Sequence, residues 1–201
     1  FIRKMEKKGL CDIVNNYTIN NTFNQIKKIS FKKQFKISFN LATTVHEKLF
    51  DSIIRINERI YSHVFSDLIN IDIELTENII NNLTKNSSQK LNSYISDNNI
   101  SLSIDDFGTD NSSFKRFITI DFKYIKIDKS ITDLLESNNT KAINVIHSIV
   151  GMAKTLKCIP VLEGVETKKQ LQLIQSMGDI LIQGFYYHKP EPLSNLKNII
   201  K

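Results

Sequence analysis

Short stretches in which hydrophobic and polar residues alternate are separated along the chain by longer stretches with a helical period. In the clearest alternating stretch, NIDIEL, Ile71, Ile73 and Leu75 share one face and polar side chains share the other. Alternation predicts strands over residues 35–40, 70–75, 100–105, 122–128, 159–163 and 180–183. The helical period predicts helices over residues 13–29, 46–62, 88–98, 140–157 and 167–177. Such an order of strands and helices indicates an α/β fold with a parallel sheet.

Each predicted strand carries a polar residue at or near its C-terminal end. These residues are Asn40, Glu74, Asp105, Lys126, Glu163 and Gln183. A single polar residue at the end of a strand ordinarily marks the start of a solvated loop. Six in order indicate a shared site, because the C-terminal strand ends of a (β/α) barrel surround a single mouth.

Asp105 and Asp106 stand side by side at such a strand end, and Gly108 follows them. Two adjacent carboxylates repel each other, and bound cations would offset that repulsion. Oxygen-rich clusters of this kind suit Mg²⁺ or Mn²⁺, and two metals about 3.5–4 Å apart can activate water and clamp a phosphoryl oxygen. The simpler alternative is that Asp105 pairs with Lys126 while Asp106 caps the next segment.

Composition and charge narrow the class of protein. The 201 residues, 41% hydrophobic and 24% charged, are typical of one globular domain or most of a larger one. The net charge is +6, but the basic residues are scattered, so we expect no DNA or RNA polymer as partner. No apolar run is long enough to span a membrane, so we expect no membrane contact from this segment. Cys11 and Cys158 have no metal-ligand spacing and indicate a reducing compartment, with Cys158 as a buried thiol.

Taken in order, the motifs resemble those of the EAL domain of bacterial signalling phosphodiesterases. The matching stretches are FNLA (39–42), ELTE (74–77), DDFGT (105–109), KID (126–128), EGVET (163–167) and QGF (183–185), followed by Pro190. The resemblance implies a modified, TIM-like (β/α)₈ barrel, of which this chain holds six of the eight strands. It implies one EAL-like domain over residues 1–201, with no second domain. It further implies two-metal hydrolysis of cyclic diguanylate (cyclic di-GMP) to the linear dinucleotide, with Mg²⁺ or Mn²⁺.

The resemblance also implies a role for each matching residue. The metal ligands would be Asn40, Glu74, Asp105 and Asp106. Glu163 would hold or deprotonate the attacking water, and Lys126 would support that water or the phosphate. Glu166 and Gln183 would complete the set of side chains around the substrate, and Glu77 would support the loop after Asp106.

Two departures from the family pattern leave alternatives open. The E-A-L tripeptide is absent, and FIRKMEKKGL resembles the helix that follows it. We therefore expect a chain without its first two strands and one metal ligand, inactive by itself although its full-length parent is active. In addition, Asp110 and Asn111 stand where the family usually has glycine and an aromatic residue. The alternatives are a degenerate, non-catalytic EAL domain that binds cyclic diguanylate or a protein, and another barrel hydrolase or isomerase with a carboxylate metal site.

The expected partner is cyclic diguanylate, and a homodimer is a candidate assembly. The expected location is the bacterial cytoplasm, with an upstream sensory or membrane region as a candidate attachment.

Overall fold

The structure is a computed structural model that describes residues 4–5, 8–29, 33–42, 46–62, 66–108, 118–137, 139–193 and 195. Its strands are β1 (Phe35–Asn40), β2 (Ile69–Thr76), β3 (Ile100–Phe107), β4 (Tyr124–Ile127), β5 (Ile159–Leu162) and β6 (Leu181–Ile182). Its α-helices are α1 (Cys11–Ile26), α2 (His46–Tyr61), α3 (Glu77–Asn82), α4 (Lys85–Asp97), α5 (Lys129–Asp133), α6 (Thr140–Thr155) and α7 (Lys168–Gln175). Short 3₁₀ helices cover Ser66–Leu68 and Leu134–Ser137.

The chain divides into two compact units, and the strand order follows the chain from β1 to β6. The first unit comprises Phe1–Leu75, Asn82–Ser101 and Glu191–Lys201, and the second comprises Thr76–Asn81 and Leu102–Pro190. In the first unit, β1 and β2 pair in parallel from Phe35 opposite Ile69 to Asn40 opposite Glu74. In the second, β3 pairs with β4, β4 with β5, and β5 with β6, all in parallel. The predicted α/β class with parallel strands is therefore confirmed.

The core of the first unit lies between its helices and strands. The rings of Phe23 on α1 and Phe39 on β1 stack with their centroids 5.9 Å apart. Leu49, Ile53 and Ile56 recur at helical spacing on α2, and all three are fully buried. Because each fully buried side chain of this size contributes roughly 1.5–3 kcal/mol, this stripe is a main source of the unit's stability.

The core of the second unit follows from the alternation seen in the sequence. Ile104, Ile125 and Leu162, on three neighbouring strands, are buried. Cys158 is buried before β5, and its Sγ lies 3.1 Å from the carbonyl oxygen of Phe122. Burial raises the pKa of the Cys158 thiol above its usual range, with a smaller contribution from a nearby carboxylate. The predicted buried thiol is therefore confirmed.

The five predicted helices are all present, with ends shifted by up to three residues. Thr167 accepts from the backbone of Gln170, whose side chain accepts in return, and this capping box begins α7. The short helices α3 and α5 were not predicted, because five or six residues carry too little periodicity. Within the described residues, no helix combines the length and the apolar character that crossing a membrane requires.

Candidate metal centre

A bulge at the end of β3 brings two neighbouring carboxylates into one cluster. Ile104 lies opposite Ile125 and Phe107 opposite Ile127, so two residues of β3 stand against one residue of β4. The extra residue is accommodated by Asp106, whose φ of 53° is left-handed. Adjacent residues of a regular strand point to opposite faces. The bulge removes this constraint for Asp105 and Asp106.

The cluster consists of three carboxylates. One carboxylate oxygen from each of Asp105, Asp106 and Glu163 lies within 4.8 Å of the others. Asp105 is buried, whereas Asp106 and Glu163 are half-buried. Glu163 follows β5, and its backbone N–H donates to the carbonyl of Ile127, which fixes it beside β4. The structure thus brings together three of the side chains that the sequence placed at strand ends.

Lys126 supplies a cation inside this cluster. Its Nζ lies 2.8 Å from Asp105 Oδ1 and 2.7 Å from Glu163 Oε1, and its side chain is 7% exposed. The pairing with Asp105 that the simpler alternative foresaw is therefore present, but it also includes Glu163. Three carboxylates and one ammonium leave two net negative charges among these four side chains. An all-oxygen donor set with that charge fits a divalent cation such as Mg²⁺ or Mn²⁺.

A side chain on α3 holds the loop that follows the bulge. The backbone N–H of Gly108 donates to Glu77 Oε1 at 3.0 Å, and Glu77 is 3% exposed. Gly108 has a φ of +100°, and a Cβ there would lie 2.9 Å from Ile131 Cδ1. Only glycine fits this position without a shift. This is the contact that the predicted supporting role of Glu77 requires.

Glu166 and Gln183 lie outside the carboxylate cluster. Glu166 forms an ion pair with Lys129, and both side chains are more than one-third exposed. This hydrogen bond raises the pKa of Lys129 above its model-compound value. Gln183 is exposed, and its backbone accepts from Val165. Sequence reasoning missed Lys129 as the partner of Glu166, although it follows KID directly.

Asn40 and Glu74 belong to the first unit, where Asn40 ends β1 and Glu74 lies two residues before the end of β2. They are opposite each other in the parallel register, and the N–H of Leu41 donates to the carbonyl of Glu74 at 3.2 Å. One layer further into the strands, Ser38 Oγ lies 3.3 Å from Asp72 Oδ2, and Asp72 is 1% exposed. Sequence reasoning missed this buried carboxylate, although Asp72 shares the strand face of Glu74.

Comparison with known proteins gives a consistent family. The family model described as "EAL domain" matches residues 1–190. "Probable cyclic di-GMP phosphodiesterase PdeD" of Escherichia coli (strain K12) is 30% identical over 194 residues, covering 96% of this chain and 35% of that protein. "Probable cyclic di-GMP phosphodiesterase PdeG" of the same organism is 28% identical over 204 residues, covering 100% of this chain and 39% of that protein. The chain thus spans well under half the length of these curated relatives.

Solved structures agree on the fold. "PaMucR Phosphodiesterase, c-di-GMP complex" has a TM-score of 0.80 at 24% identity, covering 98% of this chain and 78% of that chain. "Structure of EAL Enzyme Bd1971 - cAMP and cyclic-di-GMP bound form" has a TM-score of 0.80 at 21% identity, covering 100% of this chain and 55% of that chain. The predicted barrel class, with six strands among the described residues, is confirmed by this likeness.

Proposed function

Because this chain belongs to the EAL-domain family, we propose that it is the hydrolytic domain of a cyclic di-GMP phosphodiesterase. The single observation that carries the proposal is the cluster of Asp105, Asp106 and Glu163, two of whose carboxylates contact Lys126. Relatives named as cyclic di-GMP phosphodiesterases support the substrate.

Asp105 and Asp106 would hold a divalent cation, Mg²⁺ or Mn²⁺, with Asn40 and Glu74 as further proposed ligands. When bound, such an ion polarises a phosphoryl oxygen and lowers the pKa of bound water. A bound cation also relieves the repulsion between the two adjacent aspartates.

Glu163 is the proposed base. Its Oε1 is held by Lys126 at 2.7 Å, which orients the carboxylate that would accept a proton from the attacking water. The water oxygen bonds to phosphorus, one P–O ester bond breaks, and the leaving oxygen takes up a proton. The product is the linear dinucleotide. Lys126 orients Glu163 and Asp105 through its two contacts and supports the charge that develops on the phosphate.

Glu166, Gln183 and Glu77 keep narrower proposed roles. Glu77 braces the loop after Asp106 through its bond to Gly108. Glu166 and Gln183 line the approach to the substrate. Cys11 and Cys158 are buried and not joined in a disulfide, which supports a reducing, cytoplasmic location. We also propose attachment to an upstream sensory or membrane region. We further propose a homodimer as the assembly, and no DNA or RNA polymer as a partner.

A non-catalytic EAL domain is the second candidate function. Asp110 and Asn111, which favour it, lie outside the described residues. We expect a carboxylate at position 110 to add negative charge near the substrate phosphates, which opposes turnover. Family membership leaves the third alternative, an unrelated barrel hydrolase or isomerase, without support.

The test uses a protein that carries this domain together with an intact E-A-L strand. With Mg²⁺ or Mn²⁺, chromatography should detect the linear dinucleotide. Glu163→Gln should lower kcat by roughly 10²–10⁴-fold, the usual contribution of a general base. Glu166→Gln is the matched control and should change kcat by less than about tenfold, because Glu166 lies outside the cluster.

The 201-residue chain alone should form no detectable product. Cyclic di-GMP binding without turnover in the longer wild-type protein would favour the non-catalytic domain. Equal losses of kcat in the two variants would contradict the assignment of Glu163 as the base.

A further inference from the structure

A polar cavity lies between α1 and α2 in the first unit. Its volume is about 480 Å³, within the usual range for small-ligand sites. The residues that line it are Asn16, Ile19, Asn20, Arg55, Glu58 and Arg59. Ile19, which is 2% exposed, is the apolar side chain of this lining. None of these residues takes part in the proposed hydrolysis.

The two arginines stand one helical turn apart on α2. Residues four positions apart on a helix are neighbours, so two like charges there destabilise the helix slightly unless an opposite charge lies close. Glu58 supplies one such charge, and one net positive charge remains among Arg55, Glu58 and Arg59. The cavity is therefore electrostatically suited to an anion.

The hydrogen bonding of Arg55 adds an independent observation. Its Nε is buried, and it has no hydrogen-bond partner among the described residues. A buried N–H without a partner is unfavourable, and a planar guanidinium presents Nε and one Nη in a fork that matches two oxygens of an oxyanion. A bound oxyanion would satisfy this donor.

Arg59 and Asn20 add further polar groups to the lining. Arg59 Nη2 lies 2.8 Å from Asn20 Oδ1, which occupies the amide oxygen and leaves Nδ2 as the group that Asn20 can offer to a ligand. Asn16 contributes a second amide to the lining. With the guanidinium fork, these donors outnumber the two oxygens of a carboxylate and suit the three terminal oxygens of a phosphate monoester.

We propose that this cavity is a binding site for a small phosphate monoester. Arg55 binds two of its oxygens, and Asn20 and Arg59 bind the remainder. The volume leaves room for a sugar beyond the phosphate, and Glu58 accepts from its hydroxyl groups.

The experiment uses the full 201-residue chain, metal-free, with ribose 5-phosphate as the probe. The Nε–H signals of the arginines are followed by ¹H–¹⁵N NMR at constant ionic strength. We expect a saturable shift of the Arg55 signal, and none with unphosphorylated ribose. Arg55→Lys keeps the charge and removes the fork, so it should weaken affinity at least about tenfold. Lys90→Gln, which removes an exposed positive charge from α4, is the control and should leave affinity within about twofold.

Two results would overturn the proposal. One is an Arg55 signal that does not saturate, or that moves equally with ribose and ribose 5-phosphate. The other is unchanged affinity in a folded Arg55→Lys chain, which would show non-specific charge attraction. The wild-type titration alone remains decisive if that variant fails to fold.

Discussion

Two lysine–glutamate pairs connect the end of β4 to the loop after β5, and they differ in their surroundings. Lys126 contacts Glu163 and Asp105, with side chains 7%, 16% and 7% exposed. Lys129 contacts Glu166 three residues further along both segments, with side chains 46% and 40% exposed. The residue types and spacing are the same. Water screens the charges of the exposed outer pair, Lys129–Glu166. The charges of the inner pair, Lys126–Glu163, must be balanced by neighbouring side chains.

Burial and a third charge distinguish the candidate site from a surface contact. The outer lysine packs its stem across Gly164, which has a φ of +69° and no room for a Cβ beside it. The inner lysine holds two carboxylates of a three-carboxylate cluster. The outer pair therefore shapes the loop, and the inner pair sets the charge of the candidate metal centre.

Removing the lysine should lower stability far more in the inner pair than in the outer pair, and this is the largest expected effect. In metal-free solution, Lys126→Met should lower the free energy of unfolding by about 3–5 kcal/mol, because buried carboxylates lose their counter-charge. Lys129→Met is the matched control and should unfold close to wild type, because its pair is exposed. Urea titrations followed by near-UV circular dichroism measure both. Saturating Mn²⁺ should reduce the Lys126→Met deficit, and equal losses in the two variants would contradict the contrast.

Metal affinity should distinguish Asp105, which belongs to the cluster, from Glu166, which lies outside it. Asp105→Asn should weaken Mn²⁺ binding by about 10–100-fold, because it removes a charged oxygen ligand. Glu166→Gln should leave the affinity within about twofold, since Glu166 is outside the cluster and paired with Lys129. Calorimetric titration of the E-A-L-containing protein measures both affinities. Identical Mn²⁺ affinity in wild type and Asp105→Asn would refute the ligand assignment.

The glycine beneath the outer lysine should show a smaller effect. Gly164→Ala should lower the free energy of unfolding by about 1–3 kcal/mol, because it combines a left-handed φ with a clash against the Lys129 stem. Gly151→Ala in α6 is the control, because a Cβ there meets nothing within 4 Å, and it should stabilise by roughly 0.5–1 kcal/mol. Urea unfolding compares the two. A stabilising Gly164→Ala would contradict the described loop.

The smallest effect should be the shift in the pH titration of Lys129, the lysine of the outer pair. The folded-state pKa of Lys129 is raised above 10.5, chiefly by its hydrogen bond to Glu166. Its contribution to stability is therefore complete below the unfolded pKa of 10.5 and is lost as the pH rises through the folded pKa. The ¹³Cε shift of Lys129 followed against pH should give a midpoint above 10.5, and Glu166→Gln should move it back toward that value. A midpoint unaffected by Glu166→Gln would contradict the pairing.

Much of the fold could be predicted because the strands alternate cleanly. The predicted and observed ends of β1 are the same. The polar residue at each strand end was identified because it lies on the face opposite the apolar residues. The placement of Asp105 and Glu163 near each other followed from the parallel order of β3, β4 and β5. The family motifs then supplied what alternation alone lacked, namely a role for each strand end.

The rest depended on contacts between distant residues. The bulge at Asp106 arises from the register of β3 against β4, which no residue of β3 encodes by itself. The ion pair of Glu166 with Lys129 joins the loop before α7 to the first residue of α5, 37 residues away in the chain. The cavity of Arg55 and Arg59 has no sequence motif, because it forms between two helices.

The bulge in β3 makes the candidate metal centre sensitive to the number of residues as well as to their identity. Deleting one residue between Ile104 and Phe107 would restore a regular ladder, while both flanking hydrophobic residues kept their partners on β4. The strand would remain, but it would contribute a single carboxylate to the candidate metal centre. In evolutionary terms, a one-codon deletion in this stretch would remove one carboxylate of the cluster in a single step and leave the pairing of β3 with β4 in place.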